Sequence, residues 1–319
     1  MGKSGKWIIT AIVLLVTGIV ICGVSFGVLG FDLGKLSTVT YVTNTYDVTE
    51  DFRNISMDGD TEDITFLSSE DGNCQVVCRE EENEPHNVRV VDQTLTIERK
   101  NRKGFRVNIG VATESPSITV YLPEKEYKEL AIETDTGDVD IPKDFSFESI
   151  TADLDTGDMS CLASAEGDIR IGTNTGHISL MNVTAAGMLL SSDTGRMELT
   201  DVKLSGDLEI EEHTGKVILE NVTCRNFISD GDTGDLVMTN VKASGEFNLE
   251  RNTGDIEFHG CDAETIYVET DTGDVTGTLL TDKVFITETD TGSVDVPKST
   301  DGGRCEISTD TGDIRIEVQ

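Results

Sequence analysis

Apolar residues recur at fixed positions in a repeat of 19 or 20 residues. The dipeptide Thr-Gly marks each repeat, and its glycines are Gly137, Gly157, Gly176, Gly195, Gly215, Gly234, Gly254, Gly273, Gly292 and Gly312. The residue seven positions before the glycine and the residue two positions after it are apolar in all ten repeats. Positions five before and four after the glycine lie on the same faces, because side chains alternate along a β-strand. Each repeat therefore predicts a strand, a tight turn, a second strand and a corner.

One such repeat cannot bury its apolar side alone, whereas stacked repeats bury a continuous column. The pattern predicts an all-β fold: a β-solenoid of about ten 19–20-residue coils over residues 127–319. Glycine suits the turn because a turn between strands often needs a positive φ. Asp or Asn stands two residues before the glycine in nine repeats and can bond the turn backbone, while His213 departs from this pattern.

The region before the repeats is also β-rich but irregular. Short alternating runs over residues 49–126 predict strands separated by turns, which we assign to an N-terminal β region. A basic loop at Arg99, Lys100, Arg102 and Lys103 is typical of a solvated hairpin tip.

Residues 7–31 carry no charge over twenty-five positions, which predicts one N-terminal transmembrane helix acting as an uncleaved signal anchor. Lys3 and Lys6 precede this stretch and acids crowd the other side. The positive-inside rule then places residues 1–6 in the cytoplasm, and a tether over 32–48 and all later residues outside a single-pass cell membrane protein.

The net charge is −35, with 60 acidic and 25 basic side chains. This excludes nucleic-acid binding, which needs a basic face. Aspartates that follow the repeat glycines come in succession at Asp235, Asp255 and Asp274. Stacked at coil spacing, their oxygens could hold Ca²⁺ weakly. The alternative is that these carboxylates are solvated and only cap their turns.

The sequence favours neither of two enzyme classes, aspartic proteases and polysaccharide-active β-helix enzymes. Asp290-Thr291-Gly292-Ser293 contains the Asp-Thr-Gly of aspartic proteases, but those enzymes need two carboxylates that share a proton. A polysaccharide-active β-helix would need long loops that wall a cleft, and the repeats vary by only one residue. No catalytic or cofactor-binding residues are predicted. The four His show no zinc spacing, and core positions of the Cys predict no disulfide.

TVYLPEKEYKEL before the repeats, DVDIPKDF at 138–145 and its echo SVDVPKST at 293–300 resemble the Toast-rack family of bacterial cell-envelope proteins. That resemblance implies an extracytoplasmic β-solenoid with a role in adhesion or envelope sensing, and it supplies no catalytic residues. The expected function is a binding, adhesion or sensing surface for an unidentified cell-envelope or extracellular ligand; a structural spacer without a ligand is the alternative. Sensing would require a second membrane protein as partner.

The chain ends on the alternating strand DIRIEVQ, with no further segment after it. An unprotected strand edge invites pairing. This predicts that the C-terminal strand is an exposed edge at the open end of the solenoid, and that this end either docks a partner strand or self-associates weakly.

Overall fold

The computed structural model describes residues 3–28, 40–99 and 115–319, and within its single helix the side chains of residues 11–24 and 27–28. The helix α1 spans Lys3–Val28. Residues 29–31 of the predicted anchor, residues 32–39 of the predicted tether, and Lys100, Arg102 and Lys103 of the basic loop lie outside the described residues.

The predicted transmembrane anchor over residues 7–31 is wrong. No helix in the described part of the chain combines the length and the apolarity that crossing a membrane requires. The predicted localisation, a single-pass membrane protein with a cytoplasmic N-terminus, is wrong for the same reason.

Strands make up the regular structure after residue 40 in the described ranges. The first seven are β1 (Tyr41–Val48), β2 (Asn54–Asp58), β3 (Asp63–Ser68), β4 (Cys74–Glu81), β5 (His86–Val91), β6 (Thr94–Arg99) and β7 (Ser117–Leu122). The repeats supply β8 (Glu126–Thr136), β9 (Val139–Ile141), β10 (Ser146–Thr156), β11 (Met159–Cys161), β12 (Ser164–Ala165), β13 (Ile169–Met181), β14 (Thr184–Ala185), β15 (Met188–Thr200), β16 (Lys203–Leu204), β17 (Leu208–Glu220), β18 (Thr223–Cys224), β19 (Phe227–Thr233), β20 (Leu236–Thr239), β21 (Lys242–Ala243), β22 (Glu246–Thr253), β23 (Ile256–Cys261), β24 (Thr265–Thr272), β25 (Val275–Leu279), β26 (Lys283–Thr291), β27 (Val294–Asp295), β28 (Gly303–Thr311) and β29 (Ile314–Val318).

The repeats stack as parallel coils, which confirms the predicted β-solenoid. We number the coils one to ten by their glycines, from Gly137 to Gly312. Equivalent residues pair directly: Ile150 lies opposite Ile169, and Ile169 opposite Met188. A third, narrow face is the parallel sheet of β14, β16, β18 and β21. The repeat length therefore sets the register of the sheet.

The predicted apolar columns form the core. Eighteen of the twenty residues at the two invariant apolar positions are buried. The exceptions are Phe285, which is half-buried, and Val294, which is 43% exposed. Both belong to coil nine, and its place in the stack explains their exposure.

Coil ten is inserted between coils eight and nine. Strand β28 pairs with β24 on one side and β26 on the other, and β29 lies in the same way between β25 and β27. Coil nine is therefore the outermost layer of this end. The prediction that the C-terminal strand forms the open end is wrong, because a repeat of constant length lets any coil stack on any other.

At the N-terminal end, too, the order of the layers differs from the order of the chain. Strands β2 and β3 form a layer on coil one, and β6 and β7 form a further layer outside it. Antiparallel pairing of β5 with β6, β4 with β7 and β1 with β4 closes this end. The region predicted as irregular thus extends the solenoid, and residues 41–48 of the predicted tether are a strand of its cap.

Candidate functional site

The Thr-Gly turns line up along one edge of the solenoid, which we call the acidic edge. Glycine is needed there because successive turns touch through their backbones. A Cβ built on Gly234, at a φ of +146°, would lie 1.4 Å from the carbonyl oxygen of Gly215. Positive φ, the predicted reason, is thus only part of the explanation.

The aspartates directly after the glycines form a hydrogen-bonded ladder. The carboxylate Oδ1 of Asp138 accepts the backbone N–H of Asp158 at 2.8 Å, and Asp158 accepts that of His177 at 2.8 Å. Each carboxylate thus satisfies an amide of the next coil. These aspartates make bonds to the turn backbone of the kind predicted for the column two residues before the glycine.

The inserted coil lengthens the acidic run in this column. The amide of Asp255 donates to Asp235 at 3.3 Å, and the next two rungs, Asp274 to Asp255 and Asp313 to Asp274, each measure 2.8 Å. The amide of Ser293 then donates to Asp313 at 2.8 Å. Four aspartates follow one another where the sequence order showed three.

The three proposed calcium ligands therefore lie on successive coils, each with one carboxylate oxygen engaged by an amide. Asp235 is also paired with Lys216, whose Nζ lies 3.2 Å from its Oδ2. The structure brings Asp235, Asp255 and Asp274 into one row but does not gather them around a common centre. Calcium binding by this row remains a prediction.

In the column two residues before the glycine, three repeats have Asn or His in place of Asp. Each of these side chains contacts the aspartate of a neighbouring coil. Asn174 donates its Nδ2 to Asp155 at 3.1 Å, and Asn252 donates to Asp232 at 2.8 Å. His213 Nδ1 lies 3.5 Å from Asp193. These substitutions relieve repulsion between stacked carboxylates.

Asp290, in the protease-like triplet, lies on the exposed outer coil. Thr289 and Thr291 pair with Thr309 and Thr311, so Asp290 faces Asp310 on the neighbouring strand, and both are exposed. Two solvated carboxylates lack the enclosure that holds one shared proton in an aspartic protease.

Two ionisable residues inside the solenoid were missed by the repeat analysis. Glu212 and Arg251 are each 2% exposed and occupy the inward position three residues before the glycine, two coils apart. Gly231 lies between them, and the guanidinium fills the space that a Cβ there would occupy. Burial raises the pKa of Glu212 to about 7, against the opposite effect of Arg251. The available signal was two charged residues in a column that otherwise consists mainly of Thr.

A second buried polar cluster closes the N-terminal end. Glu80 accepts hydrogen bonds from Asn44, Tyr46 and His86, and the Nε2 of His86 faces Glu62. Burial favours a higher pKa of Glu80, but these hydrogen bonds outweigh it and lower the pKa. The residues are far apart in sequence, so spacing alone did not reveal them.

The cysteines are free thiols, all seven within the described residues. Six are buried in the β-structure, and Cys22 lies exposed on α1. Burial raises the pKa of Cys161 and of Cys305 to about 12. These thiols are inert core residues at neutral pH.

Several solved structures resemble the chain over most of its length. A "putative adhesin" from Bacteroides fragilis is 17% identical and covers 87% of this chain and 97% of its own, with a TM-score of 0.40. A "putative adhesin" from Parabacteroides distasonis is 11% identical, covering 85% and 98%, with a TM-score of 0.42. A "putative lipid binding protein" from the latter organism is 13% identical, covering 86% and 97%, with a TM-score of 0.32.

No curated protein matches the chain significantly in sequence. The family model described as Toastrack DUF4097 matches residues 52–212 and again 203–319, which together span all ten coils and most of the N-terminal cap. The resemblance noted in the sequence is thereby confirmed. The chain belongs to the Toastrack DUF4097 family.

Proposed function

We propose that this protein is a non-catalytic binding protein that recognises its ligand through the acidic edge. The observation that carries the proposal is the row Asp235, Asp255, Asp274 and Asp313. Hydrogen bonds from successive amides hold these carboxylates in one orientation at the coil spacing of about 4.8 Å.

A row of fixed carboxylates suits a ligand with repeated positive charges. The side chains remain accessible: that of Asp235 is 43% exposed and that of Asp313 is 39% exposed. Preorganisation lowers the entropic cost of binding, and the net charge of −35 attracts cations from a distance. We infer a cationic polymer or a surface that presents ammonium groups as the ligand class, which fits adhesion and sensing equally.

The test compares two variants that lose the same number of negative charges at different positions. A triple variant carrying Asp235→Asn, Asp255→Asn and Asp274→Asn keeps an oxygen acceptor for each amide and removes three charges from the row. The control carries Glu129→Gln, Glu209→Gln and Glu264→Gln, which removes three exposed charges elsewhere. We expect binding to immobilised poly-lysine at physiological ionic strength to weaken at least tenfold in the first variant and less than threefold in the control.

The alternative is a structural spacer without a ligand. The same ladder favours it, because each carboxylate already satisfies a backbone amide and so contributes to the fold. Equal weakening in the two triple variants would show that only net charge matters. That result would contradict a recognition surface and leave the spacer function.

A further inference from the structure

Three potential metal ligands, Cys78, Glu80 and His86, converge where the N-terminal cap meets the solenoid, and a fourth, Glu62, lies against His86. Glu62 lies in the turn between β2 and β3, Cys78 and Glu80 lie two residues apart on one face of β4, and His86 begins β5. All four are at least 97% buried. One ligand atom each from Cys78, Glu80 and His86 lie within 4.8 Å of one another. The cluster therefore joins three separate segments of the chain.

The hydrogen bonds of His86 define which ring nitrogen is available. Its backbone N–H and its Nδ1 both lie 2.5 Å from Glu80 Oε2, while Asn44 and Tyr46 donate to Glu80 Oε1. Nδ1 therefore carries a proton, and in the neutral ring Nε2 presents a lone pair. A carboxylate that orients histidine through its other nitrogen is the usual arrangement behind a histidine metal ligand.

The available nitrogen faces an oxygen of Glu62 that accepts no hydrogen bond among the described residues, although Arg99 lies near it. His86 Nε2 lies 3.6 Å from Glu62 Oε1, and neither atom has a hydrogen-bond partner among the described residues. The other oxygen of Glu62 accepts the amides of Asp60 and Thr61 at 2.9 and 3.0 Å. Two ligands bound to one tetrahedral zinc at about 2.1 Å lie about 3.4 Å apart. The separation is too long for a hydrogen bond and suits a shared metal.

We propose that Glu62, Cys78 and His86 bind a structural zinc ion, with Glu80 orienting His86 and water completing the tetrahedron. Thiolate, imidazole and carboxylate are all common zinc ligands. The ion would join the cap strands to the first layer of the solenoid. This proposal is independent of the function proposed for the acidic edge.

The charges and the proton balance are consistent with a divalent cation. Zinc binds cysteine as the thiolate, so forming the S–Zn bond releases the thiol proton to solvent. Arg99 forms an ion pair with Asp60, and its Nη2 lies 3.4 Å from Glu62 Oε1. It is the competing cation that zinc would have to displace from that oxygen.

Titration of the metal-free full-length chain with ZnCl₂ and with CoCl₂ tests the proposal. We expect one ion per chain, a rise in melting temperature, release of at least one proton, and a thiolate-to-cobalt charge-transfer band. Cys78→Ser should abolish that band and weaken zinc binding at least tenfold. The matched control, Cys161→Ser, alters an equally buried thiol in coil two and should leave both unchanged.

The competing explanation is a protonated His86 that bridges Glu62 and Glu80 as a buried ion pair. Under that explanation the wild-type chain binds no zinc stoichiometrically, which overturns the proposal even if a variant fails to fold. Glu62→Gln keeps the shape of the site and provides a second check. Zinc affinity unchanged in both Glu62→Gln and Cys78→Ser would also overturn it.

Discussion

Gly234 shows at the level of single residues why every coil carries glycine at its turn. Because a Cβ would overlap the carbonyl oxygen of Gly215, Gly234→Ala should lower the free energy of unfolding by at least about 3 kcal/mol, combining backbone strain and overpacking. Urea denaturation of the variant measures this loss.

Gly72 provides the matched control, since it has a φ of +74° with no atom within 4 Å of a built Cβ. Gly72→Ala should cost about 1 kcal/mol, the price of the left-handed backbone alone. Equal losses at the two positions would mean that close packing of the turns contributes nothing.

Glu212 should make stability depend on pH. Its carboxyl titrates near pH 4.5 when unfolded but has a pKa of about 7 in the fold, because burial outweighs Arg251 and His213, with Asp232 adding to the rise. A raised carboxyl pKa contributes stability that is complete below pH 4.5 and is lost as pH rises through 7. The native state binds the extra proton in this window.

Between pH 4.5 and pH 8 we therefore expect the free energy of unfolding of the wild type to fall by about 3 kcal/mol relative to that of Glu212→Gln. Chemical denaturation at a series of pH values gives the comparison. Glu211→Gln, at the neighbouring exposed position, should follow the wild-type profile. Parallel profiles for wild type and Glu212→Gln would show that Glu212 titrates normally.

At the level of elements, the column of aspartates directly after the glycines is where calcium binding is tested. Millimolar Ca²⁺ should raise the melting temperature more than Na⁺ at equal ionic strength, because oxygen ligands at coil spacing favour a divalent ion. Asp255→Asn should remove that excess and keep the fold, since its amide oxygen still accepts the N–H of Asp274. Equal shifts from the two salts would leave only general screening.

The strands themselves were predictable because the repeat fixes both burial and register. Ile150, Ile169 and Met188 were placed in one column from spacing alone, and they pair across adjacent strands. The order of the coils was not predictable, since Phe285 and Cys305 occupy equivalent positions and either could pair with Ile266. The cluster around His86 was missed because β4, β5 and the turn at Glu62 meet only in three dimensions.

At the scale of the whole molecule, deleting the inserted coil ten tests whether coil nine can stack directly on coil eight. Without residues 300–319, β24 loses its partner β28, and β26 carries the same register to replace it, with Phe285 opposite Ile266. We expect the shortened chain to fold with β26 paired directly to β24. Hydrogen exchange checks this, because the β26 amides should stay protected; rapid exchange throughout β26 would show that coil ten is required.

The inserted coil also bears on how the protein is made. Coil nine precedes coil ten in the chain, yet β28 of coil ten holds the place beside β24. The later coil must therefore take the inner position, either before β26 docks or by displacing it. We expect this end to fold more slowly than the central coils, which stack in the order of translation.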